Sequence, residues 1–291
     1  MNDLTHKPYF SRPIEDVVAE VDAIVIGGGD LIIPWSMSDL YWRDEYLTKP
    51  VFVVGVGVPT WGQAKPHIIE KYKKFLTHDN VKFFNVRDKE SAEWVRKNIS
   101  SEIAINHSAD IVFALKMPTK INKKEKYFGI VTRDRKGTPD DLTQVKRLAE
   151  KAKAEGFKIK HIILGSGDVG KRDFERADDL DVEGKDLVYS ESLDELCQEI
   201  SSCQMLASMK FHGTVVALNY GIPSIVLSAT DKNRNLMRMI ERRELLSSLN
   251  DETLPERVHS FVPVIPWTSI RMLRQRAERT MTELSDKLAN L

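Results

Sequence analysis

Strand and helix signals alternate along almost the whole chain, and the strand signals run into glycine or charged residues. Residues 23–26 lead into Gly27-Gly28-Gly29-Asp30, 51–56 into Gly57 and 81–86 into Arg87-Asp88, while 103–105 is followed by Ala109-Asp110. A lysine-rich linker, 117–126, precedes a second series with strands at 127–132, 158–164, 187–189, 204–207 and 224–227. Short apolar runs separated by helical periods imply βαβ units and therefore parallel sheets. The polar or glycine-rich strand ends then fall on the carboxyl edge, where open α/β sheets bind ligands.

Two such series predict an α/β fold of two Rossmann-like domains facing a cleft, the GT-B-like arrangement. The expected division is an N-terminal domain over 1–118, a C-terminal domain over 119–262 and a closing helix over 263–291. In that helix Ile270, Leu273, Ala277, Met281, Leu284 and Leu288 share a face. Glu278, Glu283 and Asp286 interrupt its arginines, which favours packing on a domain over lying on a membrane. Lysine plus arginine equals aspartate plus glutamate at 43 each, so nucleic acid is a poor partner. Cys197 and Cys203 read as reduced packing residues. No apolar run reaches membrane-span length and the polar start at 1–6 is no signal peptide, so a cytoplasmic protein is expected.

The most informative stretch is 204–233. It reads as a buried strand, the crossing Lys210-Phe211-His212, a helix over 213–220, a stop at Gly221 and a second strand, with Asp231-Lys232-Asn233 beyond it. Lys210, His212 and the amides of Gly213 and Thr214 converge there on the place of an anion. The same residues also fit a solvated lysine and a packing histidine. Elsewhere, Gly27-Gly28-Gly29 lacks the spacing of a dinucleotide fingerprint, and Gly55-x-Gly57 lacks its third glycine. Asp88 fits a helix cap ahead of 91–97, with Arg87 pairing locally. Thr132-Arg133-Asp134-Arg135 places Arg133 at a strand end, Gly165-Ser166-Gly167-Asp168 reads as a flexible turn, and His107 near Asp110 lacks a third ligand, so the site is treated as metal-free.

These motifs resemble the polysaccharide pyruvyltransferase family. There an Arg-Leu-His-Gly stretch opens the helix, here Lys210-Phe211-His212-Gly213, and a Gly-Ile-Pro strand follows, here 221–223, ending near Asp231 and Lys232. Gly28 and Gly29 match the family's early glycine cluster, Arg87-Asp88-x-x-Ser91 its Arg-Asp-x-x-Ser, and Arg133 its arginine after the first strand of the second half. The resemblance covers about residues 20–240. It implies ketal-pyruvyl transfer from phosphoenolpyruvate to a sugar of a polysaccharide, such as an exopolysaccharide, or of a glycan precursor, with no cofactor beyond that donor. His212 would be the acid and Asp30 the base; Arg133, Lys210, Gly213, Gly28, Gly29, Arg87 and Lys232 would bind substrate. The C-terminal domain would take the donor and the N-terminal domain a sugar or lipid-linked glycan acceptor, which leaves room for peripheral membrane association.

Two departures stand out. Lysine replaces the family's arginine at 210, and a single ammonium lacks the bidentate fork. The chain also reaches Gly27 too early for the strand and Asn-x-Gly-Asp loop that usually come first, so the resemblance implies a reduced N-terminal domain or a truncated chain. The alternatives are a nucleotide-sugar-dependent glycosyltransferase of the same shape, with a diphosphate on the 210–213 helix start, and a non-catalytic glycan-binding relative.

Overall fold

The computed structural model describes residues 12–122, 124–134, 140–260 and 265–291, with 259 and 260 described by backbone alone. The polar start at 1–6 and Arg135 lie outside the described residues. The chain divides into two units: residues up to Ala114 with Met272–Leu291, and Leu115–Arg271. The division falls at 114/115, whereas the sequence suggests 118/119.

The first unit holds a parallel sheet of β1 (Ile24–Gly27), β2 (Val51–Val56), β3 (Val81–Val86) and β4 (Asn106–His107), in that spatial order. Every residue of β2 is buried, as expected of a central strand covered on both faces. Ile68, Tyr72, Phe75 and Leu76 of helix Pro66–Leu76 and Ala92 and Val95 of helix Lys89–Asn98 pack on one face. On the other, Phe52, Val54 and Phe83 meet Leu284 and Leu288 of the final helix, Trp267–Ala289. The closing helix thus covers the first sheet, although its first residues belong to the second unit. Among the described residues no helix is long and apolar enough to cross a membrane.

The fourth strand is not where the apolar run 103–105 suggests. The ladder pairs Asn85 with Asn106 and Val86 with His107. Ile105 is apolar because it packs in the core, and its carbonyl accepts from the Arg96 guanidinium at 2.9 Å.

The second unit has five parallel strands: β5 (Tyr127–Val131), β6 (Lys158–Ile163), β7 (Asp186–Tyr189), β8 (Met205–Ser208) and β9 (Ser224–Val226). Their spatial order is β7-β6-β5-β8-β9. The chain therefore builds outward from β5 on one side and returns to build on the other. That reversal makes the carboxyl ends of β5 and β8 the topological switch point, the place where such sheets take their ligands. Val131 pairs with Ser208, and the Met209 N–H continues the ladder onto Val131 O at 2.9 Å, so Arg133 and Lys210 leave the sheet at the same level.

Behind β5 lies a buried titratable group. His161 of β6 is fully buried, its Nε2 is 2.8 Å from Thr132 Oγ1, and its Nδ1 has no hydrogen-bond partner. Burial, with a smaller push from Lys185, drives its pKa down to about 3. Between that value and the ordinary 6.5 the unfolded chain holds a proton that the native state refuses, so stability falls as pH drops through this window. The slope from this group is at most about 1.4 kcal/mol per pH unit. Calorimetric unfolding between about pH 7 and pH 5 should show a shallower acid loss in His161→Gln, which keeps a hydrogen-bonding side chain without titrating there.

Candidate functional site

At the switch point of the second unit, the helix begins earlier than the sequence suggests, at Phe211 rather than Gly213. Ser208 is the reason. Its Oγ accepts the Lys210 N–H at 3.1 Å and donates to the Lys210 carbonyl at 2.7 Å, turning the chain as soon as β8 ends. Lys210 becomes the N-cap, and the buried Phe211 and exposed His212 occupy the first turn. The Gly213 and Thr214 amides are correspondingly spent, donating to Lys210 O at 3.1 and 3.4 Å. The partial positive charge of the helix start is therefore presented beside His212.

Lys210 is tied into the fold. Its Nζ donates to Leu164 O at 2.7 Å and pairs with the Asp173 carboxylate. The other Asp173 oxygen accepts the Asp134 N–H at 2.6 Å. One carboxylate thus joins the residues that follow β5, β6 and β8. Two of the three ammonium donors are used within the protein. Asp173 is carried by helix Gly167–Glu175, which starts where a flexible turn is expected; Ser166 is its N-cap, and the Gly167 N–H donates to Glu191 at 2.8 Å. Reading 165–168 as a turn hides that helix, and with it Asp173. Its sequence signal is an aspartate six residues beyond a Ser-Gly start, weak without the register.

Arg133 is partly buried just past β5. Lys232, in the first turn of helix Asp231–Met239, brings its Nζ to 5.4 Å from the Phe211 ring centroid. Lys232 thus reaches the helix start that carries His212, and Arg133 and Lys210 flank the β5–β8 switch point.

The first unit makes its own cluster. Gly28 and Gly29 adopt φ of 72° and 79°, which turns the chain after β1 and delivers Asp30. The Gly28 N–H donates to Val54 O at 3.0 Å and the Gly57 N–H to Gly29 O at 2.8 Å. Asp30 pairs with Arg87, whose side chain is only 4% exposed. Arg87 is therefore not confined to the local pairing the sequence suggests: its partner is 57 residues away. Asp88 lies at 3.8 Å and caps helix Lys89–Asn98 by accepting the Ser91 N–H at 2.7 Å. Burial lowers the Arg87 pKa, while Asp110 and Asp88 oppose that shift. A Cβ at Gly57 would overlap the guanidinium, which explains the second glycine of Gly55-x-Gly57 without a nucleotide.

Removing Asp173 tests the tie at the switch point. Asp173→Ala should destabilise the protein by about 3–5 kcal/mol in chemical denaturation, since it strands the charge of a lysine side chain that is only 16% exposed. Adding Lys210→Met to that variant should recover part of the loss; a double variant as unstable as the sum of the single ones would refute the coupling.

The model of the polysaccharide pyruvyl transferase family matches residues 2–231. No curated protein matches the chain. Among solved structures, the fold is similar to Staphylococcus aureus MnaA in a co-structure with UDP, at a TM-score of 0.59 and 11% identity over 91% of this chain and 73% of that one. It is also similar to UDP-GlcNAc 2-epimerase from Neisseria meningitidis bound to UDP-GlcNAc, at 0.55 and 12% over 100% and 84%. Sucrose-phosphate synthase from Thermosynechococcus elongatus follows at 0.53 and 13% over 97% and 78%. At such identities the likeness establishes the fold class, Rossmann-like parallel sheets of GT-B type. The family match spans most of the sequence and takes in the Lys210–Gly213 helix start and the glycine cluster before Asp30, and the chain belongs to the polysaccharide pyruvyl transferase family.

Proposed function

We propose that the protein transfers a pyruvyl group from phosphoenolpyruvate to two hydroxyls of one sugar in a polysaccharide or glycan precursor, forming a ketal and releasing inorganic phosphate. The observation that carries the reading is His212 in the first turn of a helix at the topological switch point, with Lys210 as its N-cap, in a chain of this family. In the proposed reaction His212, as imidazolium, protonates the methylene carbon of the enol phosphate, which makes the central carbon electrophilic. One sugar hydroxyl adds there, the C–O bond to phosphate breaks, and the second hydroxyl closes the ketal. Of the two hydroxyl protons, one ends in the new methyl group by way of His212 and the other leaves with phosphate.

The donor brings a phosphate and a carboxylate. Arg133, the remaining donor of Lys210, Lys232 and the helix start supply positive potential for them. Because Asp173 already offsets the Lys210 charge, more of the anion's stabilisation falls to the other groups. Asp30 is the proposed base for the acceptor hydroxyl, with Arg87 holding its carboxylate in place. The second reading, a nucleotide-sugar enzyme, rests on the fold shared with structures that contain UDP and UDP-GlcNAc.

Thermal shift separates the two. Phosphoenolpyruvate at 100 times its dissociation constant should add about 2.7 kcal/mol of stability. Stabilisation by a UDP-sugar and none by phosphoenolpyruvate would reject the pyruvyl donor. His212→Gln should lower phosphate release with a sugar acceptor by about 10²- to 10⁴-fold while donor affinity changes less. Undiminished turnover in that variant would remove His212 from the chemistry.

A further inference from the structure

Trp61 is 73% exposed, the most exposed large apolar side chain among the described residues. It is not isolated. Its ring meets Trp35 edge-on, with centroids 4.4 Å apart and planes at 60°. The two indoles stand on loops that follow adjacent strands of the first unit. Trp35 lies on the loop that starts with Gly28, Gly29 and Asp30, and Trp61 on the loop that starts with Gly57, the residue packed on Arg87.

Both loops are held firmly. The buried Tyr72 hydroxyl accepts the Ile33 N–H at 3.1 Å and lies 3.2 Å from Ser36 O, so it grips the chain on either side of Trp35. The Lys65 N–H donates to Pro34 O at 2.9 Å, joining the second loop to the first. A Cβ at Gly62 would lie 2.5–2.7 Å from three atoms of the Trp35 indole, so that ring is laid flat against the backbone there. The result is a rigid aromatic surface at the carboxyl edge of a parallel sheet, with Asp30 on one of its loops and Gly57, packed on the Arg87 guanidinium, at the start of the other. Such pre-organisation lowers the entropy lost on binding.

We infer that Trp61, backed by Trp35, is the stacking platform for a pyranose ring of the acceptor, a reading that rests on the saccharide acceptor proposed above. A β-linked hexopyranose presents axial C–H bonds on one face, apolar and slightly positive, which matches the negative face of an indole. Hydroxyls on the ring edge stay free to reach polar groups on the same loops. The platform therefore selects sugars with a continuous C–H face, and discriminates by ring shape more than by charge.

The test uses the full chain with methyl β-D-glucopyranoside and methyl β-D-galactopyranoside, followed by saturation-transfer NMR. Saturation should concentrate on the axial C–H protons, fall about threefold to tenfold in Trp61→Ala and persist in Trp61→Phe. Equal saturation in Trp61→Ala, or binding of neither glycoside, overturns the platform. With phosphoenolpyruvate and an accepted sugar, Trp61→Ala should raise the acceptor KM by a similar factor and move the donor KM by less than about twofold. Phosphate release with an unchanged acceptor KM would overturn the platform and leave pyruvyl transfer standing. Trp61-dependent glycoside binding without any phosphate release would overturn pyruvyl transfer and support the platform.

Discussion

The second unit turns on one carboxylate. Asp173 holds Lys210 with one oxygen and the Asp134 N–H with the other, while Lys210 also donates to Leu164 O. Taking these charges from water is costly, and the bonds to Leu164 O and from the Asp134 N–H offset part of that cost. The consequence is positional more than energetic. Three segments leaving β5, β6 and β8 are fixed to one point, so Arg133 and the helix start that carries His212 take defined places at the switch point. A carboxylate on the helix after one strand, reaching a cation after another, does what loop sequences alone cannot.

The first unit repeats the device with different parts. Asp30 follows β1 and Arg87 follows β3, and the guanidinium reaches it past the backbone of Gly57, which follows β2. Both units therefore brace the carboxyl edges of their sheets with a buried or half-buried ion pair across non-neighbouring positions. Only in the second unit does the residue that bears the cation also stand at the N-cap position of a helix, the one whose first turn carries His212.

Much of the architecture is written locally. β2 and β3 occupy the residues their apolar runs suggest, since a central strand in a parallel sheet needs a continuous hydrophobic segment and little else. Asp88 caps its helix as an aspartate before a helical run should. What is not local is not legible. The 103–105 run is apolar for packing, and its ladder begins only at Asn106. The helix after β8 starts at Phe211 because of Ser208, a side-chain bond that composition does not announce. Arg87 reads as locally paired because its partner is 57 residues away, and Asp173 is invisible until the strand order brings β6 and β8 to either side of β5.

The lysine at 210 then acquires a physical meaning. Its ammonium is compact, with three donors arranged tetrahedrally, and two of them point at acceptors on different segments, Leu164 O and Asp173. Gly165 leaves little room beside it: a Cβ there would come within 3.1 Å of Nζ. A guanidinium carries its donors in a plane and prefers two parallel bonds to one carboxylate. In this pocket that geometry would satisfy Asp173 and abandon the carbonyl at the end of β6, or displace the segment that carries it. The residue that departs from the family's arginine is thus the one suited to joining two acceptors, and its role as brace is inseparable from any role as ligand. In the proposed reaction an anion bound there would draw on a charge already engaged, and the helix start, Arg133 and Lys232 would be the groups whose potential its phosphate or carboxylate feels most.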